Sequence, residues 1–128
     1  MEYVTLVVIL ALAEYLFFMG AVGKARGTFE IKAPATTGNE QFERYFRVQA
    51  NTVEQLIVFI PAIYLAAMYT NEIAAALTGC LFLVGRALYY RAYVNDPSKR
   101  ALGMVTGYIA TVLLLLGALV GVVVSMLR

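Results

Sequence analysis

Residues 101–127 read ALGMVTGYIATVLLLLGALVGVVVSML, 27 residues without one charged side chain. A helix needs about 20 mostly apolar residues to cross the hydrocarbon core of a bilayer. This run exceeds that length, so it can tilt or project from the membrane. Three further candidates precede it. Ile73–Tyr90 is apolar except for Arg86 and a few small residues. Phe46–Tyr69 is polar at its start and apolar from Leu56 onward. Val4–Val22 is apolar apart from Glu14 and Tyr15.

The composition agrees. Hydrophobic residues make up 62% of the 128 and charged residues 14%, against about 45–50% and about 25% in soluble domains. A single small core cannot bury that much apolar surface, and a disordered chain is excluded for the same reason. One cysteine, Cys80, and no histidine exclude a disulfide framework and a Cys/His metal site, so no metal is expected. Ten basic residues stand against eight acidic ones, which leaves no polybasic footprint and no expectation of nucleic acid. The expected fold class is an all-α integral membrane protein, a four-transmembrane-helix up-down bundle forming a single domain over residues 1–128.

Orientation follows from the charges. Eight of the ten basic residues (Lys24, Arg26, Lys32, Arg44, Arg47, Arg91, Lys99 and Arg100) fall in or beside a first loop, Gly23 to about Tyr45, and a third loop, Arg91 to Arg100. The positive-inside rule puts both loops in the cytoplasm and both termini outside. Ala11-Leu12-Ala13 resembles a signal-cleavage site, but no basic residue precedes the run, so it reads as the first span. Pro61, inside the second span, is expected to kink it or to free a carbonyl. Gly103/Gly107 and Gly117/Gly121 permit close helix packing. Cys80 reads as a small packing residue.

Polar groups inside a membrane are costly and mark function or helix pairing. Arg47, Asn51 and Glu54 are spaced i, i+4, i+7 and share one helical face. Arg86, Tyr89 or Tyr90, and Tyr93 form a similar face at the end of span three. Arg26 closes span one and Arg100 opens span four at the same depth. A purely structural account pairs Glu54 with Arg86 and makes the tyrosines an interfacial belt. The excess of cations over carboxylates at this depth instead suits an anionic ligand carrying one ammonium, and glutathione has that chemistry. Arginine grips carboxylates bidentately, and a glutamate can hold the ammonium.

The run Ala25–Tyr45, ARGTFEIKAPATTGNEQFERY, and its continuation FRVQANTVEQL resemble the MAPEG family, the membrane-associated proteins in eicosanoid and glutathione metabolism. Pro34-Ala35-Thr36-Thr37-Gly38, the FERYFRVQANTVE stretch from Phe42 to Glu54, Arg86 with Tyr89 and Tyr93, and Arg100 carry the resemblance in order. It points to the bacterial-type microsomal glutathione transferases. It implies a homotrimer in a bacterial inner membrane, with glutathione as co-substrate bound between subunits near the cytoplasmic face. By the same resemblance, Arg47, Asn51, Glu54, Tyr89 and Tyr93 contact glutathione on one subunit. Arg26 and Gln49 reach across from the neighbour, and Arg100 stabilises the thiolate. A hydrophobic electrophile or lipid enters between spans one and four, and a lipid hydroperoxide is a further acceptor. Gln55 and Gly27 depart from the lipid-conjugating branch of the family.

Two other readings compete. One is a non-catalytic lipid- or glutathione-binding member of the same family. The other is a small proton-coupled multidrug transporter, suggested by four spans and the lone Glu14 in span one.

Overall fold

The computed structural model describes residues 1–128. The chain forms α1 (Glu2–Phe29), α2 (Glu40–Tyr69), α3 (Glu72–Asn95), a 3₁₀ turn (Pro97–Lys99) and α4 (Ala101–Met126). All four long helices are long and apolar enough to cross a membrane.

The helices run past the apolar segments that announce them. α1 continues through Lys24 and Arg26, and α2 begins at Glu40. The first loop is therefore shorter than the expected Gly23–Tyr45. Local chemistry sets these ends. Glu30 ends α1 in the left-handed region, at φ 55 and ψ 40, and the Ile31 amide donates to the Arg26 carbonyl at 3.1 Å. Asn39 Oδ1 accepts from the Phe42 amide at 3.0 Å, an N-cap that satisfies one of the free donors of the first turn. Glu40 and Glu43 add negative charge in that turn, which the helix dipole favours. Asn71 caps α3 in the same way, accepting from the Ala74 amide at 3.0 Å. The third loop is mostly structured too. α3 runs to Asn95, and Asp96 Oδ1 accepts from the Ser98 amide at 3.1 Å and its hydroxyl at 2.7 Å.

Short connections force antiparallel neighbours. α3 packs on α4, α2 on both, and α1 on α2 and α3. α1 and α4 form no packed pair within the single chain. The core joins Val4, Val7 and Ala11 to Leu56, Phe59 and Ile63, and these to Phe82, Ala110 and Leu114. Phe59 and Phe82 stack with centroids 3.9 Å apart and planes at 8°. α2 continues unbroken through Pro61, whose ring faces outward. Pro61 lacks an amide hydrogen, so the Ile57 carbonyl loses its helical donor.

Glycines set how closely α3 and α4 cross. A Cβ on Gly85 would lie 2.6 Å from the Gly107 nitrogen and 2.9 Å from the Gly103 carbonyl oxygen. One on Gly103 would lie 2.7 Å from the Gly85 carbonyl oxygen and 2.8 Å from Tyr89 Cα. Gly121 is equally tight, with Tyr69 Cβ at 2.8 Å. Gly117 is not: its nearest contact would be Thr70 Cγ2 at 3.9 Å.

At the far end, the Met1 ammonium pairs with Glu72 at 3.0 Å, and the Tyr3 amide donates to the same carboxylate at 3.0 Å. Both carboxylates beside it, Glu2 and Glu72, hold that ammonium above its ordinary pKa. The outer surface is apolar. Only 29 of 128 residues are buried, and Leu16, Phe17, Ile57, Leu77, Leu102, Leu116 and Val120 are among the many exposed large hydrophobics. In water such a surface marks an interaction site or an aggregation hazard. On four helices of spanning length it is the face of an integral membrane protein towards lipid. Cys80 lies on that face, exposed, and is not the packing residue that its apolar neighbours suggest.

Candidate active site

The up-down topology brings the end of α1, the start of α2, the end of α3 and the start of α4 together. Every predicted site residue lies at this end of the bundle. Arg44 fastens it. Its guanidinium donates to the Val94 and Asn95 carbonyls, both at 3.3 Å, and pairs with Glu40 at 2.9 Å. Gln41 Nε2 adds a bond to the Val94 carbonyl at 2.9 Å. These donors satisfy the last carbonyls of α3, which a helix C-terminus leaves free.

Arg47 and Glu54 meet across two helical turns, at 3.6 Å and half exposed. The Glu54–Arg86 pair of the structural account does not form. Arg86 is only 1% exposed. Its Nη2 donates to Asn51 Oδ1 and to Thr52 Oγ1, each at 2.9 Å, and its guanidinium lies 4.4 Å over the Tyr89 ring. Arg86 thus takes its partners from α2 without Glu54, one from the buried side at Thr52 and one from the polar face at Asn51. Tyr89 is buried and stacks on Tyr93 at 5.3 Å. It lies within electrostatic reach of Arg47, Arg86 and Arg100. Arg100 is exposed at the head of α4, and its Nη1 donates to the Pro97 carbonyl at 2.9 Å. A polar cleft of about 390 Å³ opens here, with Thr36, Glu43, Arg44, Arg47, Tyr93 and Pro97 in its walls.

Arg26 and Gln49 lie at the same end of the bundle but on another surface. Arg26 donates to the Ile31 and Ala35 carbonyls at 3.3 and 2.8 Å and lies 5.0 Å over the Phe42 ring. Gln49 Nε2 donates to the Tyr15 hydroxyl on α1 at 3.3 Å. At about 100° per residue, Gln49 is roughly opposite Arg47, Asn51 and Glu54 on α2. The single chain therefore gathers five predicted glutathione contacts with Arg100 and holds two on another surface.

Thr52 and Arg44 escaped the sequence reading. Thr52 falls between two members of the polar face, and only its partner on α3 shows its use. Tyr90 packs within the chain, stacked on Phe18 at 5.0 Å and near Phe17 and Tyr45. An apolar groove of about 540 Å³ runs beside this cluster, with Ala21, Lys24 and Phe29 of α1 in its walls. Glu14 has one carboxylate oxygen buried without a hydrogen-bond partner, within electrostatic reach of Arg86. No group of three or more His, Cys, Asp or Glu side chains could hold a metal ion.

These features define a four-helix membrane protein with a cationic, tyrosine-lined site at one end. Residues 4–120 match the model of the MAPEG family, and the chain belongs to that family. It is 42% identical over 117 residues to an uncharacterized protein of Synechocystis, covering 91% of this chain and 85% of the relative. It is 38% identical over 112 residues to human microsomal glutathione S-transferase 2, covering 87% and 76%. It is 34% identical over 124 residues to mouse leukotriene C4 synthase, covering 97% and 81%.

Proposed function

We propose that this protein is a membrane-bound glutathione transferase, acting on a hydrophobic electrophile and also on lipid hydroperoxides. The observation that carries the reading is the convergence of Arg47, Asn51, Glu54, Tyr89, Tyr93 and Arg100 at one end of the bundle. Transferase and synthase relatives at 34–38% identity support it. Arg47 takes a glutathione carboxylate, Glu54 takes the ammonium, and Asn51 and the tyrosines satisfy the remaining polar groups. Each of these side chains supplies the donor or acceptor its task needs.

Arg100 activates the thiol. A free thiol with a pKa of about 8.5 is only about 3% thiolate at pH 7. Lowering that pKa to about 6 takes roughly 3.4 kcal/mol of preferential stabilisation of the anion. An opposite charge at close range supplies a shift of that size. The guanidinium acts as an electrostatic stabiliser, not as a base. The thiolate sulfur then attacks the electrophilic carbon, and the leaving group departs with its electron pair or, from an epoxide, stays attached as an alkoxide that takes up a proton. With a hydroperoxide the sulfur attacks the outer oxygen. The alcohol leaves, and a second glutathione completes reduction to water and the disulfide.

The two surfaces of α2 support a shared site. A ligand touching both Gln49 and Asn51 has to lie between two chains, and we take the assembly to be a homotrimer. The site then faces the cytoplasm of a bacterial inner membrane, with both termini on the other side. The test is conjugation of glutathione to a chromogenic aryl halide by purified protein in detergent. Saturable turnover above the uncatalysed rate is expected; none from correctly assembled protein would contradict the proposal.

A further inference from the structure

We propose that Arg86 is a positioning residue that fixes the orientation of the Asn51 amide, so that Asn51 turns its carbonyl oxygen to Arg86 and its Nδ2 donors to the ligand. The inference rests on Asn51 facing glutathione, as proposed above. A guanidinium has donors and no acceptor. The Asn51 atom 2.9 Å from Arg86 Nη2 is therefore the carbonyl oxygen, whichever way the amide is first drawn. The second bond of the same nitrogen is fixed in direction too. Thr52 Oγ1 accepts from Arg86 at 2.9 Å and gives its one hydrogen to the Val48 carbonyl at 2.6 Å. Arg86 itself cannot turn away. It is 1% exposed, stacked on Tyr89, and its Cδ lies 3.8 Å from where a Cβ on Gly107 would stand.

The Asn51 Nδ2 hydrogens are thus turned away from Arg86 and bond to nothing within the chain, on a partly exposed side chain next to Arg47 and Glu54 on the same helical face. The ligand group seated on Asn51 Nδ2 must be an acceptor, a carboxylate or a peptide carbonyl of glutathione. An ammonium or a peptide N–H at Nδ2 would meet a donor instead. In this way a buried residue with no route to the ligand selects which end of the ligand lies over α2.

The test measures glutathione Kd by calorimetry and Tm on the same purified samples. Wild-type protein must bind; no binding would overturn the functional reading along with this one. Asn51→Asp keeps an acceptor for Arg86 and turns the ligand-facing atom from donor to acceptor. We expect Kd to rise about 10- to 100-fold, as for an unpaired or repelled charged acceptor, with Tm at or above wild type. An unchanged Kd in Asn51→Asp refutes the assignment. Arg86→Gln is expected to raise Kd about tenfold alone and to have little further effect in an Asn51→Ala background. An equal effect in both backgrounds means that Arg86 acts only through general packing, and overturns its positioning role. Should Arg86→Gln fail to fold, the Asn51→Asp result decides alone.

Discussion

Gly103→Ala adds one methyl at the crossing of α3 and α4. That methyl would stand 2.7 Å from the Gly85 carbonyl oxygen and 2.8 Å from Tyr89 Cα, and closer still to the Tyr89 nitrogen. Ordinary contact begins near 3.4 Å. The atoms in the way are backbone, so no side chain can rotate aside and the helices must part by most of an ångström. Overpacking of this kind costs about 1–3 kcal/mol. Against it stands a gain of at most about 1 kcal/mol from replacing glycine by alanine within a helix. Gly107→Ala provides the contrast one turn on. Its methyl would meet Arg86 Cδ at 3.8 Å and Phe82 at 3.9 Å, so the propensity gain has nothing to offset it. The assay is thermal unfolding of both variants in one detergent. At roughly 4 °C per kcal/mol for a chain of this size, Gly103→Ala should lower Tm by several degrees, and Gly107→Ala should leave it unchanged or raise it. The same parting moves Tyr89, a proposed glutathione contact, and misplacement of a bound reactant by about 1 Å can cost on the order of 100-fold in rate. A Gly103→Ala protein as stable as Gly107→Ala would refute the packing argument.

Other predictions follow from single sites. Phe59→Ala removes a fully buried ring stacked on Phe82; a loss of about 3–5 kcal/mol is expected, and a Tm within 2 °C of wild type would contradict it. Hydrogen bonds from the Ser98 hydroxyl and amide hold the Asp96 carboxyl below its ordinary pKa. A depressed carboxylate contributes stability above its unfolded pKa of about 3.9 and loses it as pH falls through the folded value. Asp96→Asn should therefore lower Tm at pH 5 and matter less at pH 3, with a constant difference contradicting the linkage. Glu54→Gln should weaken glutathione binding measured by calorimetry, whereas unchanged affinity would make the Arg47–Glu54 pair purely structural.

The four spans were legible because a bilayer imposes a long apolar run on any helix that crosses it. Helix ends were not, because backbone bonding continues past the last apolar residue. The capping side chain of Asn39 starts α2, and the left-handed Glu30 stops α1. Periodicity placed Arg47, Asn51 and Glu54 on one face, and the structure brings Tyr89, Tyr93 and Arg100 to the same end. It could not say which cation Glu54 meets. That depends on which side chains of α2 Arg86 meets from α3, and Asn51 and Thr52 take its donors. Gly103 and Gly121 were singled out by spacing and are indispensable at their crossings. Gly117 shares the spacing and has room, while Gly85, with no glycine four residues away on its own helix, is tight. Which glycine matters is decided by the facing helix, and one sequence read along its length does not contain that geometry.

The central claim is that Arg100 holds bound glutathione as a thiolate. The most direct measurement is the ultraviolet difference spectrum on adding glutathione at neutral pH to wild-type and Arg100→Ala proteins. We predict a thiolate band in the wild type that disappears in Arg100→Ala while calorimetry still detects bound glutathione. A band of equal size in both proteins, or loss of binding with normal turnover at saturation, would contradict that role.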